Sequence, residues 1–223
     1  LKDTLHRDCV FDFETDGLVP KKDGVLLLSI AHRDGDRVIS KYFLKPNMRE
    51  FVKWVTAKKR GRRICHNSKY EITWMGLDGH TSIEDTMLRH WWINENESNS
   101  LDHLSVRYAG AWPYWHDNPD PGTYAQWDQN LLGMYGARDS AYTLLLHEWQ
   151  EDHLTDAQKK FLVEVISPMA LLLSKMERNG VKVNLKKWRS YRVRLLRESD
   201  ELNEQLLAEF PDVNWKSHKQ VSH

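Results

Sequence analysis

Val10-Phe11-Asp12-Phe13-Glu14-Thr15-Asp16-Gly17-Leu18 is the stretch on which the reading of the chain turns. Apolar residues lead into it from Cys9, so it reads as a buried strand, in which residues two apart share one face. Asp12 and Glu14 therefore lie on the same face, about 6 to 7 Å apart. Carboxylates held that close repel each other unless one is protonated or a cation intervenes. A hard divalent cation is the partner that an all-oxygen donor set selects. Thr15-Asp16-Gly17 is turn chemistry, which puts the pair near the carboxyl end of its strand, where open α/β sheets bind ligands. Taken alone, an Asp-x-Glu triplet is equally a strand end with one solvated acid and one acid serving the turn. Further carboxylates along the chain have to decide between the two.

The 223 residues suffice for one full core with an appendage, or for two small domains. With 40% hydrophobic and 29% charged residues, the composition is that of an ordinary globular protein. No apolar run reaches the length of a membrane span, and the opening LKDTLHRD lacks the apolar core of a signal peptide, so a soluble, intracellular protein with no membrane partner is expected. The lack of a first methionine and the ending KQVSH read as a fragment of a longer chain. Cys9 and Cys65 show no metal-ligand spacing and are expected to be buried thiols without a disulfide. The 32 basic residues balance the 32 acidic ones, which excludes a broad basic surface for duplex binding. Any nucleic acid must be held locally, through a few phosphates and base stacking. The ten tryptophans are core or interface residues first.

Outward from the opening strand, residues 24–32 and 37–44 are β-rich runs around the turn-like Arg33-Asp34-Gly35-Asp36, predicting a hairpin. Met48 to Ala57 has a helical apolar pattern. KKRGRR at 58–63 is a solvated basic loop, with guidance of a phosphate backbone as the alternative. A short strand at 63–66 runs into a helix from Lys69 to Leu77, and a second strand-to-helix passage occupies Ser82 to Trp92. A helix covers Leu101 to Tyr108. The loop GAWPYWHDNPDPG at 110–122 cannot continue it, and its Trp112, Tyr114 and Trp115 either pack or offer a stacking face. From Tyr124 to His153 the pattern is helical, with a break expected near Asn130. Thr155-Asp156 opens a long helix to Asn179, kinked at Pro168. Lys186 to Phe210 is a charged helix in a tail with too few apolar residues for a core of its own. Strands alternating with helices after three initial strands argue for a mixed sheet flanked by helices.

Asp139, in MYGARDSAYTLLL, is the third candidate acid. Tyr135 lies four residues earlier, so the two project from the same helix face. If that face meets the sheet bearing Asp12 and Glu14, a phenol stands beside the acids; otherwise the tyrosine packs and the aspartate faces solvent. FDFETDGL, HNSKYEITWM and YGARDSAYT, in this order and spacing, resemble the three motifs of the tyrosine-containing DEDD 3′-to-5′ exonucleases. More narrowly, the chain resembles the proofreading domain of family A DNA polymerases, including DTMLRHWW and Ser100-Leu101-Asp102-His103-Leu104. SKMERNGVKVN and NWKSHKQ resemble the start of the polymerase domain that follows it.

The resemblance implies an α/β, ribonuclease H-like mixed five-stranded sheet flanked by helices, followed by a helical thumb-like segment. It divides the chain into an exonuclease domain at 1–153 and a truncated beginning of the polymerase region at 154–223. It implies two divalent ions, Mg2+ or Mn2+, held by Asp12, Glu14, Glu71 and Asp139, with Tyr135 orienting the attacking water. The substrate would be a single-stranded DNA 3′ end and the product a nucleoside monophosphate, with the remainder of the polymerase chain as partner and a bacterial cell, a phage-infected host or an organelle as the setting. Leu18 matches an apolar wedge against the terminal bases, and Asn67 a polar contact to the strand; their plainer roles are turn packing and a helix N-cap. One residue departs from the pattern. The family places aspartate where this chain has Glu71, adding a methylene and over 1 Å of reach, a scale at which misplacement can cost about a hundredfold in rate. The competing expectations are thus a weakened or inactive exonuclease-like domain that binds DNA as a scaffold, and an RNase D-like enzyme that trims RNA.

Overall fold

The computed structural model describes residues 4, 6–20, 22–57, 61–78, 82–112, 121–215 and 217–221. The three-strand opening is present as β1 (Cys9–Thr15), β2 (Val25–Asp34) and β3 (Arg37–Leu44), followed by α1 (Met48–Thr56), β4 (Arg63–Cys65), α2 (Ser68–Met75) and β5 (Glu84–Asp85). The helices α3 (Thr86–Ile93), α4 (Leu101–Tyr108) and α5 (Gln129–His153) come next, then α6 (Asp156–Phe161), α7 (Ser167–Asn179), α8 (Leu185–Glu209) and α9 (His218–Val221). The five strands form one sheet in the order β3-β2-β1-β4-β5. β1 pairs antiparallel with β2 and parallel with β4, and β4 pairs parallel with β5. This is a ribonuclease H-like arrangement of a mixed five-stranded sheet with helices packed against it.

Side-chain alternation along β1 sorts its residues between two cores. Cys9, Phe11 and Phe13 join Phe51, Trp54 and Val55 of α1 on one face, with Phe11 and Phe51 in edge contact at 5.2 Å between ring centroids. Val10 packs with Ala31, Ile64 and Leu144 of α5 on the other. The face that carries Asp12 and Glu14 is thus the face covered by α5. The register of β1 with β2 shifts between Glu14 and Thr15, an irregularity that ends the ladder where the acids leave the sheet.

α5 lies close to the sheet because small residues form its inner face. A Cβ at Gly133 would stand 2.5 Å from the Tyr42 ring, and one at Gly136 would stand 2.6 Å from Leu27 Cδ2. The Ser40 and Ser140 hydroxyls meet at 2.9 Å in the same seam. The break expected near Asn130 falls slightly earlier. A short 3-10 turn over Pro121–Gln126 ends before Asp128, whose side chain accepts from the Asn130 and Leu131 amides and caps α5.

Thr155 caps α6 through a capping box with Gln158. The kink expected at Pro168 is realised as a wide, π-type turn over Leu162–Ile166 just before it, which absorbs the ring and the missing N–H of the proline. The chain forms two compact units, 1–179 and 180–223. Within the first, α7 places Leu171 in the main core and bonds Ser174 to Thr73 of α2. Within the second, Asn184 caps α8 through the Lys187 amide at 3.1 Å, and no residue of α8 is buried.

The basic run at 58–63 resolves differently from either expectation where it is described. Arg63 is fully buried, its guanidinium 3.8 Å from the Trp54 ring centroid, and Arg62 pairs with Asp8 at 2.7 Å. Both arginines hold the fold together, so neither forms a solvated loop or guides a backbone. Residues 58–60, and Tyr114 and Trp115 of the aromatic loop, lie outside the described residues; Trp112 is 75% exposed. Cys9 and Cys65 are buried and free. Among the described residues, no helix is long and apolar enough to cross a membrane.

Candidate active site

Asp12, Glu14 and Asp139 each offer a carboxylate oxygen within 4.8 Å of the others. β1 supplies the first two by its period of two, and α5 supplies the third through its close approach at Gly136, whose position lies 3.7 Å from Glu14 Cγ. Glu14 and Asp139 are 5% and 8% exposed. Glu71, in the first turn of α2, is 2% exposed. Its carboxyl stands outside the group of three, yet close enough that the charges of Asp12 and Glu71 act on each other. The longer side chain reaches toward the buried Cys65 thiol on β4.

The electrostatics are those of uncompensated anions. Burial raises the pKa of Asp12 from 3.8 to about 7. Burial, together with the charges of Asp12, Asp139 and Glu71, pushes Glu14 well above the ordinary carboxyl range. Asp139 and Glu71 are raised for the same reasons, burial first and the Asp12 charge second. Among the described residues no lysine, arginine or histidine forms an ion pair with any of the four. Asp139 Oδ1 and Glu71 Oε2 are buried without a hydrogen-bond partner, a costly state for a charged oxygen. Oxygen-only donors, converging geometry and orphaned oxygens all fit a hard divalent cation, and none fits an internal ion pair.

A second acidic cluster shows the contrast. Glu84, His147 and Glu151 also lie within 4.8 Å of one another, but Arg89 pairs with Glu84 at 2.7 Å and with Glu151, while Arg62 pairs with Glu151 at 3.1 Å. Guanidinium groups supply the positive charge there, so the cluster is a structural ion network.

Tyr135 projects from α5 one turn before Asp139, and its hydroxyl works against the upward shift of the Asp139 carboxyl. Burial and the Asp139 charge push the Tyr135 phenol upward. Its ring lies 5.8 Å from both Tyr124 and Trp127. Tyr124 escaped the sequence reading because it sits in a Pro/Gly-rich turn without periodicity. Burial and the charge of Glu14 raise its phenol too, which places it at the acidic cluster. Leu18 follows the bend after β1 and is 81% exposed, so it is not packed in its turn. Asn67 stands at the N-cap position of α2 with φ 64°, but its side chain makes no cap bond. Asp85 takes over that work, accepting from the Asn67 and Ser68 amides at 3.0 and 2.6 Å.

The sheet with α5 packed across it has a fold shared with solved nuclease structures. Brucella melitensis NrnC with bound Mg2+ superimposes with a TM-score of 0.61 at 17% identity, covering 78% of this chain and 87% of that one. The catalytic core of RRP6 from Trypanosoma brucei superimposes with a TM-score of 0.52 at 14% identity, covering 76% of this chain and 46% of that one. In sequence, the chain is 27% identical to the DNA polymerase DpoZ of Vibrio phage phiVC8 across 78% of its own length, and it spans about a third of that protein, 32%. No protein-family model matches. A nuclease fold with a polymerase relative supports the likeness drawn from the motifs, to a 3′-to-5′ exonuclease domain of a polymerase.

Proposed function

We propose that the chain is the metal-dependent 3′-to-5′ exonuclease of a family A-like DNA polymerase, removing nucleoside monophosphates from a single-stranded DNA 3′ end as a proofreading activity. The observation that carries this reading is the convergence of Asp12, Glu14 and Asp139 without a cationic partner among the described residues, beside Tyr135 on the same helix. Divalent ions at Asp12, Glu14, Asp139 and Glu71, Mg2+ or Mn2+ and two in number, would supply Lewis-acid activation of water and screening of the phosphodiester charge. Tyr135 orients the attacking water from the Asp139 side. Exposed Leu18 wedges against the terminal bases, and Asn67, whose side chain is not used as a cap, contacts the strand. Residues 1–153 carry the exonuclease and 154–223 begin a thumb-like polymerase segment, with the rest of the polymerase as partner and a bacterial cell or phage-infected host as the setting. The test is nucleotide release from a 3′-labelled single strand with Mg2+ or Mn2+. Equal release by wild type and Asp12→Ala sinks the reading.

A second reading is favoured by the likeness to NrnC, one structure of which is bound to pGG: the same site trims RNA or short oligonucleotides. Digestion of matched RNA and DNA strands side by side separates the two. A third, a scaffold that binds the 3′ end without cutting, draws on the position of Glu71 outside the group of three, and it predicts metal-independent binding with no turnover.

A further inference from the structure

We propose that Tyr70 is a positioning residue of this site: through Thr15, its hydroxyl fixes the turn that carries Leu18 against the helix that carries Glu71. The inference rests on the exonuclease reading and names a residue that reading does not include.

The Tyr70 and Thr15 hydroxyl oxygens lie 2.6 Å apart, and the Thr15 oxygen lies 2.6 Å from the Gly17 carbonyl oxygen. A carbonyl only accepts, so the Thr15 proton goes to Gly17. The Thr15 oxygen is left to accept, and Tyr70 donates to it. The chain of bonds therefore runs Tyr70 to Thr15 to Gly17 in a fixed order. It ends one residue before Leu18, which is 81% exposed. Thr15 itself is buried, so solvent does not make good a bond that it loses.

The two ends of this chain are held in different ways. At the Tyr70 end, Asp85 accepts from the Asn67 and Ser68 amides at the start of α2. The Tyr70 amide donates to the Asn67 carbonyl at 2.9 Å, and Thr73 bonds to Ser174 of α7. At the other end, the turn closes on itself. The Asp16 amide donates to the Gly24 carbonyl at 3.1 Å, the Gly24 amide donates to the Asp16 carboxylate, and the Val19 amide donates to Asp23 at 2.8 Å. A Cβ on Gly17 would overlap the Asp23 carboxylate, so the turn is tightly folded. Each of these bonds stays within the β1–β2 connection, and together they shape the turn without setting its angle to the site. The turn leaves the sheet where the register of β1 with β2 shifts, a place at which a strand bends. The Tyr70 bond crosses from there to α2 and sets the angle. Leu18 is thereby aimed relative to Glu14 and Glu71, and aim at the angstrom scale governs rate.

Tyr70→Phe keeps the ring and removes the hydroxyl. The expected result is a fall in the single-turnover cleavage rate of about 3- to 10-fold, the worth of one neutral hydrogen bond. The dissociation constants for Mn2+ and for a single-stranded DNA oligonucleotide should both stay within about twofold of wild type. In a Leu18→Ala background the same change should have no further effect on the rate, because Tyr70 acts through the turn. A second measurement is independent of activity. In protein labelled at tyrosine Cζ, eight resonances are expected, and Tyr70→Phe assigns one of them. Thr15→Val should move that resonance, and Thr15→Ser, which keeps the hydroxyl, should return it toward the wild-type position. A full rate in Tyr70→Phe, multiplicative losses with Leu18→Ala, a parallel loss of strand affinity, or a Tyr70 resonance unmoved by Thr15→Val each overturn the proposal. If the resonance moves but wild-type protein releases no nucleotide, the exonuclease reading has failed and the positioning role falls with it.

Discussion

Asp12 on β1 and Asp139 on α5 present carboxylate oxygens within 4.8 Å of each other, and the charge of Asp12 helps push the Asp139 pKa well above its ordinary value. Ordered side by side without a counter-charge, they make the metal-free fold less stable than its packing alone would allow. Asp12 has a folded pKa of about 7 against an ordinary value of 3.8, so the native state binds the proton more tightly than the unfolded state. Stability therefore falls as pH rises from about 4 to about 7 and stays low above it. Metal-free wild type should melt higher at pH 5.5 than at pH 8. Asp12→Asn should raise the melting temperature at pH 8 by about 2 to 4 °C, corresponding to about 1 kcal/mol. Mg2+ or Mn2+ should stabilise wild type but not Asp12→Asn. Thermal melts with and without chelator check all three; a metal-free wild type that melts higher at pH 8 than at pH 5.5 would contradict the first.

The seam under α5 gives a sharper geometric prediction. Gly136→Ala places a methyl 2.6 Å from Leu27 Cδ2, and Leu27 is fully buried, so the helix must lift. The expected cost is about 1 to 3 kcal/mol of stability and a loss of nuclease rate on the order of a hundredfold, as Asp139 leaves its place. Gly133→Ala meets the partly exposed ring of Tyr42 instead, which can turn aside, and should cost less on both counts. Leu27→Ala in the Gly136→Ala background makes room for the methyl and should recover part of the rate. Denaturant melts and single-turnover cleavage of the three variants test the order.

Much of this was legible in the sequence because it is local. The alternation of Cys9 to Thr15 put Asp12 and Glu14 on one face before any fold was drawn, and Tyr135 with Asp139 follows from the helical repeat. Motif order then joined β1 to α5 across the chain. What local pattern could not carry was environment. Arg62 and Arg63 look like solvated basic residues, yet one is spent on Asp8 and the other lies under Trp54, since long side chains bury when a partner waits in the fold. Tyr124 was silent because a turn has no period. Asn67 has the residue type of an N-cap, but Asp85, far along the chain, takes the amide bonds.

The Glu84 network should respond to pH in the opposite sense from the acidic site. Burial works against its ionisation, but the hydrogen bond from His147 and the charges of Arg89 and Arg62 outweigh it and depress its pKa. A depressed carboxyl contributes stability above the unfolded value near 4.5 that is lost as pH falls through the folded one. Arg89→Met leaves Glu84, 7% exposed, short of its main partner and should cost about 3 to 5 kcal/mol at pH 7. That cost should shrink as pH falls below 4.5, where the unpaired acid takes up a proton. Paired denaturant melts of the two proteins at pH 7 and pH 4 make the comparison; an equal gap at both would show that packing, not charge, is lost.

Glu71 decides how much of the proposed chemistry the site retains. Its buried Oε2 has no partner, and its carboxyl stands near Asp12 yet outside the group of three. The longer side chain is accommodated, reaching from α2 toward Cys65, so the surrounding packing is built for glutamate. Shortening it should open a gap rather than restore a ligand. Glu71→Asp is therefore expected to lower nucleotide release by about 10- to 100-fold while leaving the tighter Mn2+ affinity, set by Asp12, Glu14 and Asp139, within about twofold of wild type. Glu71→Gln should also leave that tighter affinity in place, because it removes none of the three converging carboxylates. A Mn2+ titration alongside the cleavage assay reads both quantities in each variant. A rise in turnover on Glu71→Asp would instead mean that glutamate holds the domain in an idle state, and would favour the scaffold over the enzyme.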